Sequence, residues 1–377
     1  MIAIIIGGGP SGLACAIGLS SCCEQVHLIE KYPTFESRGS TFGLSKNGQL
    51  AISELSSECL DDMQRIGMKA GETLVFIWYE FRDALLRYVK EKSNIKIHCG
   101  EEFTSIIANG GGVVSVVCQS GLKLTGDFVV GADGVHSKVR DVLQLPPPIQ
   151  SENTLFRGSL TVTSENASSG LRECLSKGIM PLAVDERGKV YFTLFNFNER
   201  YPGRLAWVLS TNVSLKHQDD EKVSPIFALI DEYITDEKKA QLIKEVFNLS
   251  DPNHLESYPK TSVIDMSDTT LDLYNGRWGG RGRVTLIGDA SHGMRPTDGY
   301  GGSMAMEDAV VLRRILRDGI SSSVSVEEML ERFERERLPR VKKVYDNQES
   351  RYNRRMKDEK RPGPQSEEFL HWLLSGV

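Results

Sequence analysis

Three short segments carry residues whose types and spacing could do chemistry. The first is Gly7-x-Gly9-x-x-Gly12. Gly7 permits a tight turn, and Gly9 lets backbone approach a pyrophosphate. That anion would rest on the N-terminus of the following helix, where unpaired N–H groups and the dipole favour negative charge. Gly12 lets helix and strand pack closely. Glu30 ends the next apolar run, where an acid can accept from a ribose diol. Pro10, Ser11 and Lys31 fall within the same candidate dinucleotide site. The second segment is Gly131-Ala-Asp133-Gly134-Val-His-Ser137-Lys-Val-Arg140. The third runs from Gly288-Asp289 through His292, Arg295 and Pro296 to Gly299, Gly301, Gly302 and Ser303. An acid after a strand can bind sugar hydroxyls, and a helix N-terminus can stabilise a developing anion. Taken singly, the second and third segments read equally well as structural turns.

The elements that must position these segments follow from periodicity. Residues 2–6 are a continuous apolar run, which predicts a strand buried on both faces. Small and apolar residues at helical spacing over 11–22, then a strand over 25–30, complete a βαβ unit. A helix is expected over 81–91, strands over 113–118 and 122–131, and alternating strands from about 156 to 211, with clear period two over 189–196 and 204–210. Residues 222–247 read as charged and helical, 283–287 as a buried strand, and the chain from about 325 as a long polar helix with a kink at Pro339. The order predicts an α/β fold: a discontinuous nucleotide-binding domain over 1–155 and 258–320, a smaller, mostly β substrate domain over 156–257, and a C-terminal helical segment over 321–377.

Composition bounds the function. The chain has 377 residues, with 45 basic against 51 acidic side chains for a net charge of −6, which argues against nucleic acid as a partner. Seven cysteines, an odd number without a Cys-x-x-Cys pair, fit buried thiols in the cytoplasm or another reducing compartment, and neither a disulfide framework nor a metal site. The apolar start lacks a basic n-region and is split by Gly7-Gly8-Gly9-Pro10, so it does not read as a signal peptide. No run is long enough for a transmembrane segment. The basic run 332–361 reads most simply as a solvated helix face, with peripheral contact to acidic lipid as the alternative. Phe369, Trp372, Leu373 and Leu374 form an amphipathic end expected to dock on the body or on a neighbour.

Together the three motifs resemble the single-component FAD-dependent monooxygenases of the aromatic hydroxylase type, the group around p-hydroxybenzoate hydroxylase, over roughly residues 1–345. The resemblance implies a Rossmann-like FAD-binding domain whose first motif holds the ADP half of FAD. It further implies that Asp133-Gly134 contributes to flavin and NAD(P)H binding, and that Gly288-Asp289 puts its acid on the ribityl chain. Arg82, in Tyr-Glu-Phe-Arg-Asp-Ala-Leu, matches a flavin-binding arginine; Arg38, before Gly39, matches one near the flavin phosphates. Solvated surface charge is the plain alternative for either. The family's Gly-Gln-Gly-x-Asn is here Gly299-Tyr300-Gly301-Gly302-Ser303, a form that looks like the urate hydroxylase and zeaxanthin epoxidase branches. The halogenase Trp-x-Trp-x-Ile-Pro signature and a second Gly-x-Gly-x-x-Gly are both absent.

The implied activity is insertion of one oxygen atom of O2 into a small aromatic, heteroaromatic or conjugated substrate through a flavin C4a-hydroperoxide, with NAD(P)H as donor. A dehydrogenase or reductase on the same scaffold, and a non-catalytic flavin-binding protein, are the alternatives. Candidate catalytic residues are Arg295, Pro296, Gly301 and Tyr191. Arg295 suits an acidic substrate, against the alternative of pairing with Asp298 or Asp308. His292 reads as a packed residue beside the flavin.

Overall fold

An all-apolar strand needs neighbours on both faces, and Ile2–Ile6 has them. A computed structural model describes the chain except residues 37–40, 110, 152, 178, 185–188, 198, 214–223, 251–254, 259–260, 273–276, 297–298, 357–364 and 377. In it, Ile2–Ile6 is the centre of a five-stranded parallel sheet in the order Val284–Leu286, Phe128–Gly131, Ile2–Ile6, Gln25–Glu30, Ile95–Cys99. The helix Pro10–Leu19 carries small and apolar residues all round and is buried from Gly12 to Leu19. It packs between the helices Trp78–Lys90 and Tyr300–Ser321. This is the discontinuous Rossmann-like unit, completed by chain from both sides of the middle segment.

The smaller, mostly β unit is a five-stranded antiparallel sheet in the order Ile179–Val184, Val190–Asn196, Arg204–Thr211, Thr154–Thr161, Glu256–Tyr258. Its alternation sorts side chains by face. Phe192, Leu194, Leu205, Trp207 and Leu209 turn to a second core with Ile230, Val246 and Phe247. Trp207, fully buried, satisfies its indole by donating to Ser250 Oγ at 2.8 Å.

Three sequence expectations change. The strand over 122–131 is two, Lys123–Gly126 and Phe128–Gly131, in different sheets. Between them the Asp127 carboxylate accepts the Ile2 N–H at 2.6 Å, so the polar residue ends one strand and anchors the next. The helical stretch expected over 222–247 is divided into two helices, Ser224–Tyr233 and Glu237–Leu249. Asp236 accepts the Lys239 N–H and caps the second, a local bond that competes with helix continuation. Third, the basic run is not a uniform solvated face: Arg337 is 1% exposed.

The long helix is Val326–Met356, with Pro339 inside it. The terminal helix Glu367–Leu374 docks on the body as expected, with Phe369 and Leu373 in the main core and the Leu373 carbonyl accepting from Arg340 at 2.5 Å. Among the described residues, no helix is long and apolar enough to cross a membrane.

Candidate active site

One cavity of about 820 Å³ collects the sequence motifs. At one end the Ile2–Ile6 strand runs into Gly7, whose φ of +111° and close approach to the Ala132 carbonyl leave no room for a Cβ. Gly12 packs on the Gly7 carbonyl behind the wall. Gly9, which caps the helix Pro10–Leu19, has open space where a Cβ would stand. The helix N-terminus therefore meets the cavity as bare backbone, with Pro10 and Ser11 beside it.

The acid at the end of the second strand is fixed by backbone donors. Glu30 accepts the Gly8 N–H at 2.8 Å and the Tyr32 N–H at 3.0 Å, and Lys31 lines the cavity next to it. Asp133 and Gly134 enter from the end of the Phe128–Gly131 strand. One Asp133 oxygen accepts the Val139 N–H at 3.2 Å; the other is buried and, among the described residues, meets no donor, and burial pushes this carboxyl above its ordinary range. Arg82 is buried and lines the cavity. It donates to the carbonyls of Glu36 and Phe35 and pairs with Asp83, while stacking near Phe35 and Trp78. Arg38 lies outside the described residues.

The third motif forms the middle wall. Asp289 is exposed on the cavity side and enclosed by protein on the others, and this enclosure pushes its carboxyl up. Gly299, with φ of +73°, opens the helix Tyr300–Ser321, and Gly299, Gly301 and Gly302 all line the cavity with Pro296. Gly301 approaches Asp289 with only that carboxylate near its would-be Cβ. Two residues counted with this site stand behind the wall. Gly288 donates its N–H to Asp308 at 2.9 Å, and Ser303, fully buried, accepts from the Ser45 hydroxyl and N–H. His292 is also behind it: its Nε2 lies 2.7 Å from Asp308, whose other oxygen accepts from Arg337 Nε at 2.8 Å. His292 and Arg337 together hold the Asp308 carboxyl down at about 2 against its complete burial.

The far end is one face of the antiparallel sheet. Tyr191 lines it in a row with Ser210 and Leu155, and the next row is Thr193, Val208 and Arg157. Sequence reasoning named only Tyr191 here, although the same alternation carries Thr193, Phe195, Val208 and Ser210. It also missed Phe35, Phe42 and Trp78, which come from segments without a motif. Arg295 lines the cavity and pairs with Glu349, not with Asp308: its Nε lies 2.6 Å from Glu349 Oε1 and its Nη2 3.1 Å from Oε2, while Asp298 lies outside the described residues.

A bare helix N-terminus, a fixed acid at the second strand and two cavity-facing carboxylates fit an elongated dinucleotide with a sugar-alcohol linker. Residues 61–348 match the family described as FAD binding domain. The chain belongs to that family. FAD is its cofactor, and the expected membership of the FAD-dependent monooxygenases is borne out. This FAD-binding chain is 25% identical over 372 residues to a salicylate hydroxylase of Pseudomonas putida, covering 90% of this chain and 82% of the relative. Its fold is shared by CtdE, solved with FAD and a substrate, at a TM-score of 0.80, 17% identity and coverage of 100% and 95%. It is shared too by HpxO of Klebsiella pneumoniae, solved with FAD and uric acid, at a TM-score of 0.71, 21% identity and coverage of 100% and 92%.

Proposed function

We propose that the protein uses NAD(P)H and O2 to insert one oxygen atom into a small aromatic, heteroaromatic or conjugated substrate, the second oxygen leaving as water and NAD(P)H being oxidised to NAD(P)+. The observation that carries this reading is the continuity of the cavity: the wall lined by Gly9, Glu30 and Asp133 runs past Asp289 and Gly301 to the sheet face of Tyr191 and Thr193. When bound, FAD supplies electron transfer from the nicotinamide and activation of O2.

The chain's own residues bind, orient and exclude water. Gly7, Gly9 and Gly12, with Pro10 and Ser11, form the pyrophosphate turn; Glu30 takes the adenosine ribose, and Lys31 and Arg82 supply positive charge nearby. Asp133, Gly134 and Asp289 accept hydroxyl donors along the linker. The Gly299–Gly302 turn brings N–H donors of a helix N-terminus toward charge developing on the ring. Pro296, Arg295 and Tyr191 border the substrate, and the apolar part of the lining, Leu155, Phe195, Val208 and Met294, suits a flat ring.

The test is a panel of phenols, heteroaromatics and polyenes screened for stimulated NADH or NADPH oxidation by the purified yellow protein, followed by product analysis under ¹⁸O2. Label in the product supports the reading. Reduced nicotinamide consumed with unlabelled product identifies a dehydrogenase or reductase, and flavin that no donor reduces identifies a binding protein.

A further inference from the structure

Arg295 is the cation closest in sequence to the flavin-facing turn, and its surroundings alter what it can recognise. Both Glu349 oxygens bind it, Tyr352 puts its ring 3.8 Å under the guanidinium, and the Arg295 carbonyl accepts from Gln348 at 3.3 Å. The side chains of Arg295 and Glu349 are 11% and 21% exposed, so solvent screens the pair weakly. The carboxylate therefore spends the arginine's charge at short range. What is left unpaired is Nη1: it is buried, among the described residues it meets no acceptor, and it belongs to a residue that lines the cavity beside Pro296. A donor held on two sides by a fork and from below by a ring has a fixed direction.

We propose that Glu349 and Tyr352 convert Arg295 from a free cation into a fixed, charge-compensated hydrogen-bond donor, so that the cavity takes a neutral oxygen acceptor at this point, a ketone, amide or phenol, in preference to a carboxylate. This rests on the reading of the cavity as a substrate site. A carboxylate placed on Nη1 would also face Glu349 across the guanidinium, and like-charge repulsion there removes the gain it would have from a lone arginine. Glu349 acts through Arg295 and is a positioning residue; Arg295 makes the contact.

The experiment uses FAD-loaded protein and a matched pair of probes, salicylamide and salicylate, titrated by their perturbation of the flavin absorbance. Wild type should bind the amide more tightly. Glu349→Gln, which restores a net positive charge, should move the ratio toward salicylate by about tenfold or more. Glu349→Asp, which keeps the charge, should stay within about twofold of wild type, a difference that loss of packing alone would not produce. Arg295→Met should weaken the amide without strengthening salicylate, and it carries the test should the glutamine variant lose its flavin. Tighter binding of salicylate by wild type, equal shifts in the Gln and Asp variants, an unchanged ratio, or no response to either probe would overturn the proposal. Failure of the wild-type protein to hold FAD, or ¹⁸O absent from every product, would instead strike the functional reading.

Discussion

The two ends of the cavity are built in different ways. At one end the wall is backbone: glycines at 7, 9 and 12 and a helix N-terminus, braced by one carboxylate that accepts two main-chain N–H groups. At the other end it is side chain: rows of Tyr191, Ser210 and Leu155, then Thr193, Val208 and Arg157, on a regular antiparallel face. A backbone cradle tolerates almost no substitution, since a Cβ at Gly7 or Gly12 has nowhere to go. A sheet face exchanges its side chains without moving its strands, because neighbouring residues bury into a separate core. On the proposed reading, the cofactor end is thus fixed by geometry and the substrate end is free to vary in chemistry.

The largest effect should follow from breaking the first kind of site. Gly12→Val puts two branches against the Gly7 carbonyl, a backbone atom that cannot rotate away. The variant should be purified without flavin, or not at all, measured as the ratio of FAD to protein absorbance. Full flavin occupancy in Gly12→Val would mean that the turn is not the pyrophosphate cradle.

The same contrast explains what the sequence revealed. Gly7, Gly9, Gly12, Glu30, Asp133 and Asp289 were legible because each lies in or beside a short segment at the end of a parallel strand, where backbone demands set residue type and spacing. Phe42 and Trp78 were not, because they sit in the strand Thr41–Leu44 and at the start of the helix Trp78–Lys90, where an aromatic residue reads as ordinary core. Alternation over 190–196 predicted two faces correctly and could not say which one meets the cavity. The Arg295–Glu349 pair joins residues in separate elements, and local periodicity carries no signal for such a contact. The same blindness to distant partners made the run containing Arg337 read as solvated, when Glu307 and Asp308 draw it inside.

A second prediction concerns the bracing behind the cofactor end. One Asp308 oxygen accepts from Gly288 N–H and lies against His292 Nε2, and the other accepts from Arg337 Nε, so Asp308→Asn leaves a buried arginine short of its charge. Breaking a buried pair this way costs about 3–5 kcal/mol, read as a lower urea midpoint at unchanged slope. The pH dependence has a definite sign. The folded carboxyl, held at about 2, lies below the ordinary unfolded value near about 3.9, so its contribution is complete above pH 4 and disappears as pH falls toward 2. Wild type should lose its advantage over Asp308→Asn across that window. If the variants' difference is flat between these limits, Asp308 is not the charged hub of the cluster.

The smallest effect sharpens the comparison from the other side. Thr193→Val is nearly isosteric and removes one hydroxyl from the cavity face, in the row with Val208 and Arg157. Thr193 alternates with Phe192 and Leu194, which turn to the second core, and the backbone hydrogen bonds of the Val190–Asn196 strand are unchanged by the exchange. Stability should therefore stay within about 0.5 kcal/mol of wild type, and FAD occupancy should be full. A single neutral hydrogen bond to substrate is worth about 0.5–1.5 kcal/mol, so KM should rise by up to about tenfold while kcat holds, the pattern of a contact made equally in the ground and transition states. A loss of flavin in Thr193→Val would show that cofactor and substrate ends are coupled through this strand. Independent variation of the two ends would then no longer account for how one cradle serves different substrates.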